Sequence, residues 1–157
     1  MENESVGRHF TVAVFVVLDG KVLLHWHRKL GMWLPPGGHI ERDELPDDAA
    51  CREVFEETGM TVELVGERRD DVEEPVQLHR PAGVQLEDIG PGHQHIDLIY
   101  FARPIGETEI SDRFAVDKVG WYGPEDWRAM SVNAEVLGWC ERAVVAVPDQ
   151  GSEQSLR

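Results

Sequence analysis

Residues 38 to 60, GHIERDELPDDAACREVFEETGM, compress a glycine turn, a helix and a stop into one short segment. Pro36-Gly37-Gly38 just before it is a turn-former whose glycines allow close backbone approach. Pro46 suits the first helical position, and Asp47 and Asp48 place negative charge in the first turn, where the helix dipole favours it. Gly59 stands where a left-handed residue ends a helix. The segment therefore predicts a helix over residues 46 to 58.

At about 100° per residue, Ala50, Cys51, Val54, Phe55 and Thr58 cluster on one face, which is expected to be buried. Glu53, Glu56 and Glu57 lie opposite, three and four residues apart and so neighbours in space. Ala49 falls on this acidic side, small enough to leave room beneath a ligand. Three clustered carboxylates repel one another, which raises their pKa values and weakens the helix. A divalent cation removes that conflict, and hard oxygen donors suit Mg²⁺ or Mn²⁺. Standing alone, an E-x-x-E-E on a helix is usually a solvated face. Here it stands in register with Gly38, Glu44 and Arg52.

Together these residues spell G-x5-E-x7-R-E-U-x-E-E-x-G-U, with U apolar at Val54 and Met60. Its seven fixed types recur by chance on the order of 10⁻⁹ per start position. The pattern resembles the signature of the Nudix hydrolases. Trp33-Leu34-Pro35-Pro36-Gly37-Gly38 resembles that family's W-x-x-P-G-G approach, and Gly123-Pro124-Glu125-Asp126-Trp127 its entry into a late helix. The likeness covers roughly residues 8 to 147. Leu45 departs from it, since a small polar N-cap is common there.

The resemblance implies an α/β/α sandwich and hydrolysis of a nucleoside diphosphate linked to another group, by water attack on a P–O–P bridge. It implies Glu53, Glu56 and Glu57 as metal ligands, one of them doubling as the base. It also implies Arg52 as the residue holding them, Glu44 as support for the loop, and Gly38 or Gly37 as a backbone contact to metal or phosphate. A further acid is expected from Glu107, Glu109, Asp112 or Asp117, with Asp117 favoured. The substrate leans towards a nucleoside triphosphate. Pro75, spaced from Met60 as in ADP-ribose-cleaving relatives, keeps ADP-ribose or an ADP-sugar as the alternative. A non-catalytic nucleotide sensor and a diphosphate isomerase are the readings from other classes. The first predicts a damaged carboxylate set, which is intact here, and the second a reactive cysteine.

Elsewhere, β-branched or alternating runs predict strands at 9–18, 21–27, 33–40, 61–68, 95–102 and 118–122. Residues 70–92 read as mostly loop, with a short strand at 84–86, and 103–114 as loop. Helices are expected at 124–130 and 133–147. This order is a mixed α+β domain over residues 8–147, after a short extension (1–7) and before an apolar-poor tail (148–157) expected to be disordered. In a strand His93, His95 and Asp97 share a face, compatible with phosphate or metal contact. His25, His27 and Arg28 end a strand near the glycine loop as candidate phosphate contacts, and Trp26 and Trp33 are candidates for stacking a base. A formal charge of −15 over 157 residues argues against nucleic acid or an anionic membrane as partner. With no run of about 18 apolar residues and nothing like a signal peptide, a soluble cytoplasmic chain is expected. Its partner is a nucleotide-type small molecule, with a homodimer left open. Cys51 and Cys140, without metal spacing, read as core thiols.

Overall fold

The computed structural model describes residues 5–150. Most of the expected extension and tail, residues 1–4 and 151–157, lies outside the described residues. The β-branched run forms the long strand β1 (Gly7–Leu18), and Asp19-Gly20 turns it into β2 (Lys21–His27). Short strands β3 (Met32–Leu34) and β4 (Gly37–His39) lead into helix α1 (Pro46–Thr58). Then come β5 (Val62–Val65), β6 (Gly83–Gly90), β7 (His93–Pro104), a 3-10 turn over Asp112–Asp117, β8 (Gly120–Tyr122), α2 (Pro124–Ala129) and α3 (Ala134–Ala146).

The strands make one eight-stranded mixed sheet around a parallel β1–β7 pair. Alternation along β1 sends Val12, Val14 and Val16 to one face, where Ala49, Ala50 and Val54 of α1 cover them. Phe15 and Val17 go to the other, under Trp127 of α2 and Val136, Cys140 and Ala143 of α3. Each fully buried Val or Leu contributes on the order of 1.5–3 kcal/mol. This is the α+β sandwich expected. Among the described residues no helix is long and apolar enough to cross a membrane.

The two partners of β1 on one edge split apart. β4 pairs with Thr11–Ala13, whereas β2 pairs only at Val17 and Leu18 before diverging to β3 and β8. A Cβ on Gly37 would overlap the Val12 carbonyl oxygen, so only glycine lets the turn lie this close to β1. The divergence opens a cleft between β2–β3 and β1–β4–β7, closed below by α3.

Several expectations need correction. Phe55 is 58% exposed and Ala49 fully buried, so α1 is rotated towards its small residues. Two alanines permit close approach to the sheet, and a residue one step past Val54 then points about 100° away, into water. Glu53 and Glu57 consequently lie on the flank of the buried face rather than opposite it. Residues 83–90 form a full strand: Pro91 and Gly92 (φ 69°) are the tight turn of a β6–β7 hairpin, not interruptions. That hairpin extends β7 back to His93, and pairing with β5 carries its other end to Pro104. The strand expected over 61–68 stops at Val65. The acidic first turn of α1 does more than meet the dipole, since Asp47 Oδ2 accepts from both the backbone N and the ring Nδ1 of His79, at 3.1 and 2.8 Å.

Candidate functional site

Arg52 is the hub of the glycine loop and helix. Its Nε and Nη2 grip both Glu44 carboxylate oxygens at 2.7 and 2.9 Å. Nη2 also donates to the His39 carbonyl at 3.0 Å, while Nη1 reaches Glu53 at 2.9 Å and Glu56 at 3.2 Å. A planar five-donor guanidinium can hold this fork and an ammonium cannot. Glu44 in turn accepts from the Glu41 backbone N at 3.1 Å, tying the loop to itself. Arg52 holds the Glu44 carboxyl below its ordinary range, the guanidinium hydrogen bonds outweighing burial.

The Glu53 carboxylate lies against Gly38, where a Cβ would come within 2.5 Å of its Oε1. Burial pushes Glu53 up to about 7, aided by repulsion from Glu57 and opposed by Arg52. Glu57 lies beside Glu53, its Oε2 3.2 Å from His25 Nε2, and Glu56 is more than half exposed at the rim. Glu57 lines both the main cleft of about 490 Å³ and an open groove shared with Glu56, His25, His27, Arg28 and Asp117. Asp117 forms an ion pair with Arg28 at 3.1 Å. Of the four acids considered for the later loop, Asp117 is the one lining this groove. Three carboxylates and one already engaged guanidinium fit a hard divalent cation, which the donor chemistry accepts without rearranging the loop.

The main cleft also takes Gly37, Gly38, His95 and Asp97, so the two sequence clusters meet there. Asp97 is buried, bonded to Thr11 Oγ1 at 2.8 Å, and burial raises it to about 7, with Glu87 and Glu135 adding repulsion. Burial lowers His95, as do His39 and His93 beside it. Trp33 packs edge-on to Trp26 at 5.4 Å and to Tyr122 at 5.2 Å, partly buried against the core, whereas Trp26 lines the open groove. His39, Glu87 and Glu135 were not singled out from sequence. Alternation in β6 could have marked Glu87, but only long-range register places it opposite His95.

These raised carboxyls make stability depend on pH. Between the ordinary carboxylate range and about 7, the folded chain keeps protons on Glu53 and Asp97 that the unfolded chain has released. Stability of the metal-free chain therefore falls as pH rises through that window, by at most about 1.4 kcal/mol per pH unit for each group. Urea melts between about pH 5 and about pH 7.5 are expected to show this slope, flattened in Asp97→Asn and in Glu53→Gln.

The NUDIX domain pattern matches residues 7–140. A solved hydrolase of the NUDIX family from Clostridium perfringens superposes with a TM-score of 0.74 at 38% identity, covering 87% of this chain and 96% of that one. The MutT-like protein of Streptomyces ambofaciens is 45% identical over 51 residues, 32% of this chain and 33% of its own length. Phosphatase NudJ of Escherichia coli is 42% identical over 57 residues, 35% of this chain and 37% of its own. The matched segment spans about a third of the length of these curated relatives. The chain belongs to the Nudix hydrolase family. That is a family of pyrophosphohydrolases, which in general act on nucleotide-type substrates with a divalent metal.

Proposed function

We propose that this chain hydrolyses the P–O–P bridge of a nucleoside diphosphate derivative with Mg²⁺, Mn²⁺ serving in its place, and that nucleoside triphosphates are its substrate class. The observation carrying this is the gathering of Glu53 and Glu56 on Arg52, with Glu57 beside Glu53 and lining a cleft of about 490 Å³. That volume suits a small-molecule ligand.

Glu53, Glu56 and Glu57 hold the cation, with the Gly38 backbone beside them and Asp117 across the groove. When bound, the metal neutralises the phosphate oxygens and acidifies water. Arg52 fixes the carboxylates before substrate arrives, so little reorganisation is left for the reaction itself. Glu57, which stands outside the guanidinium fork, takes the proton from the attacking water, and His25 at 3.2 Å orients it. Arg28 meets the phosphates from the groove. His95 and Asp97 contact the substrate deeper in the cleft. With burial raising Asp97 to about 7, the cleft floor presents less negative charge to an anionic ligand near neutrality than an ordinary carboxylate would.

A hydrolysis screen over nucleoside triphosphates, ADP-sugars, dinucleotides and coenzyme A, with products identified, tests the reading. Release of a nucleoside monophosphate and inorganic pyrophosphate from a triphosphate, abolished by a chelator, is the expected result. Preferred turnover of ADP-ribose would move the assignment to an ADP-sugar pyrophosphatase. Binding without turnover across the panel would make the chain a sensor.

A further inference from the structure

Four histidines from three strands meet at the open end of the sheet. His9 lies on β1, His39 on β4, and His93 and His95 on β7, and each offers one ring nitrogen within 4.8 Å of the others. Strand pairing puts them there: His9 is the parallel neighbour of His95, Gly7 of His93, and Thr11 faces both His39 and Asp97. Ring centroids lie 4.8 Å apart for His39–His95, 4.9 Å for His9–His93 and 5.0 Å for His93–His95.

Such a cluster is a poor structural device. Neutral imidazoles each carry one donor and one acceptor, so His9 Nδ1 and His93 Nε2, 2.9 Å apart, satisfy one another only when one of the two carries the proton and the other does not. His95 Nε2 is buried among them with no hydrogen-bond partner. A buried nitrogen left so normally costs stability. A cation accepting lone pairs from all four rings resolves every one of these conflicts.

We propose that His9, His39, His93 and His95 form a second metal site, for a borderline transition cation of the Zn²⁺ type, separate from the glutamate set. Imidazole donors favour Zn²⁺, Co²⁺, Ni²⁺ or Cu²⁺, whereas the carboxylates of α1 favour Mg²⁺ or Mn²⁺. Tetrahedral Zn²⁺ with bonds of about 2.0–2.1 Å needs nitrogens about 3.3 Å apart. Rotation of the exposed rings of His9 and His39 closes the present spread without moving β7. Occupancy clamps the ends of β1, β4 and β7 together. It also fixes His39, whose carbonyl accepts from Arg52, and His95, which lines the cleft, so the site bears on the glutamate loop without contributing a ligand to it.

The site shares His39 and His95 with the proposed substrate cleft, so the experiment reads metal binding rather than turnover and keeps the two apart. Co²⁺ titrated into the full chain is expected to give one equivalent with the intense visible bands of a four-coordinate nitrogen environment. Zn²⁺ should displace it and excess Mg²⁺ should not. The bands should persist in a Glu53→Gln/Glu57→Gln chain. His93→Ala and His95→Ala should each weaken binding at least about 10–100-fold, the range seen for losing even an outer partner of a metal ligand. His9→Gln, at an exposed position, makes the same test where folding is not at issue. Absence of the bands in the wild-type chain would overturn the site. So would their loss in the glutamate variant with retention in the folded His9→Gln chain.

Discussion

Glu57→Gln is expected to lower kcat by about 10²–10⁴-fold, the range for a positioned general base, while the chain melts close to the wild-type temperature. Glu57 stands 3.2 Å from His25 and contributes nothing to the guanidinium fork of Arg52, which takes Glu44, Glu53 and Glu56. Removing its charge therefore leaves the loop in place. Loss of a group that acts only in the transition state lowers kcat and kcat/KM together, whereas loss of mere substrate affinity raises KM alone. Steady-state kinetics on the substrate returned by the screen, paired with thermal melts, separates the two. Glu56→Gln, at the rim, is expected to follow with a smaller deficit. Full activity in both variants would remove the glutamates from the chemistry.

How much of this was legible beforehand follows from the range of the interactions. The helix bounds of α1 are set by neighbours in sequence, Pro46 at one end and Gly59 (φ 73°) at the other, and both stand where they were read. The meeting of Glu44, Arg52 and Glu53 is likewise local, within one loop and helix. The orientation of α1 was not, because it depends on which side chains the sheet admits. Phe55 looked like the anchor by size, yet two alanines pack closer. The cleft was invisible for a related reason. It exists because β2 leaves β1 after two paired residues, and no property of either strand alone encodes that divergence. The histidine cluster is the extreme case: His9 and His93 are far apart in the chain and become neighbours only through parallel pairing. Its trace in the sequence was the spacing of His93, His95 and Asp97 on one strand face.

Arg52→Ala is expected to be the most damaging single change, removing activity and destabilising the chain by about 3 kcal/mol or more. Arg52, Glu44 and Glu53 are 22%, 15% and 13% exposed, so deleting the guanidinium leaves carboxylates that water reaches poorly. The cost arises from the unpaired charges left behind more than from the bonds lost. For a chain of this size the melting temperature should drop by roughly 6–12 °C. Arg52→Lys keeps the charge but loses the two-pronged grip on Glu44 and the reach to the His39 carbonyl, so an intermediate loss is expected. The two roles of Arg52 separate under added Mg²⁺. If Glu53, Glu56 and Glu57 hold a divalent cation, saturating Mg²⁺ should raise the melting temperature of Arg52→Ala by more than it raises that of the wild type, because more uncompensated charge awaits it. An equal Mg²⁺ shift in a Glu53→Gln/Glu56→Gln/Glu57→Gln chain would show that the cation binds elsewhere, and the glutamate fork would then be a structural clasp alone.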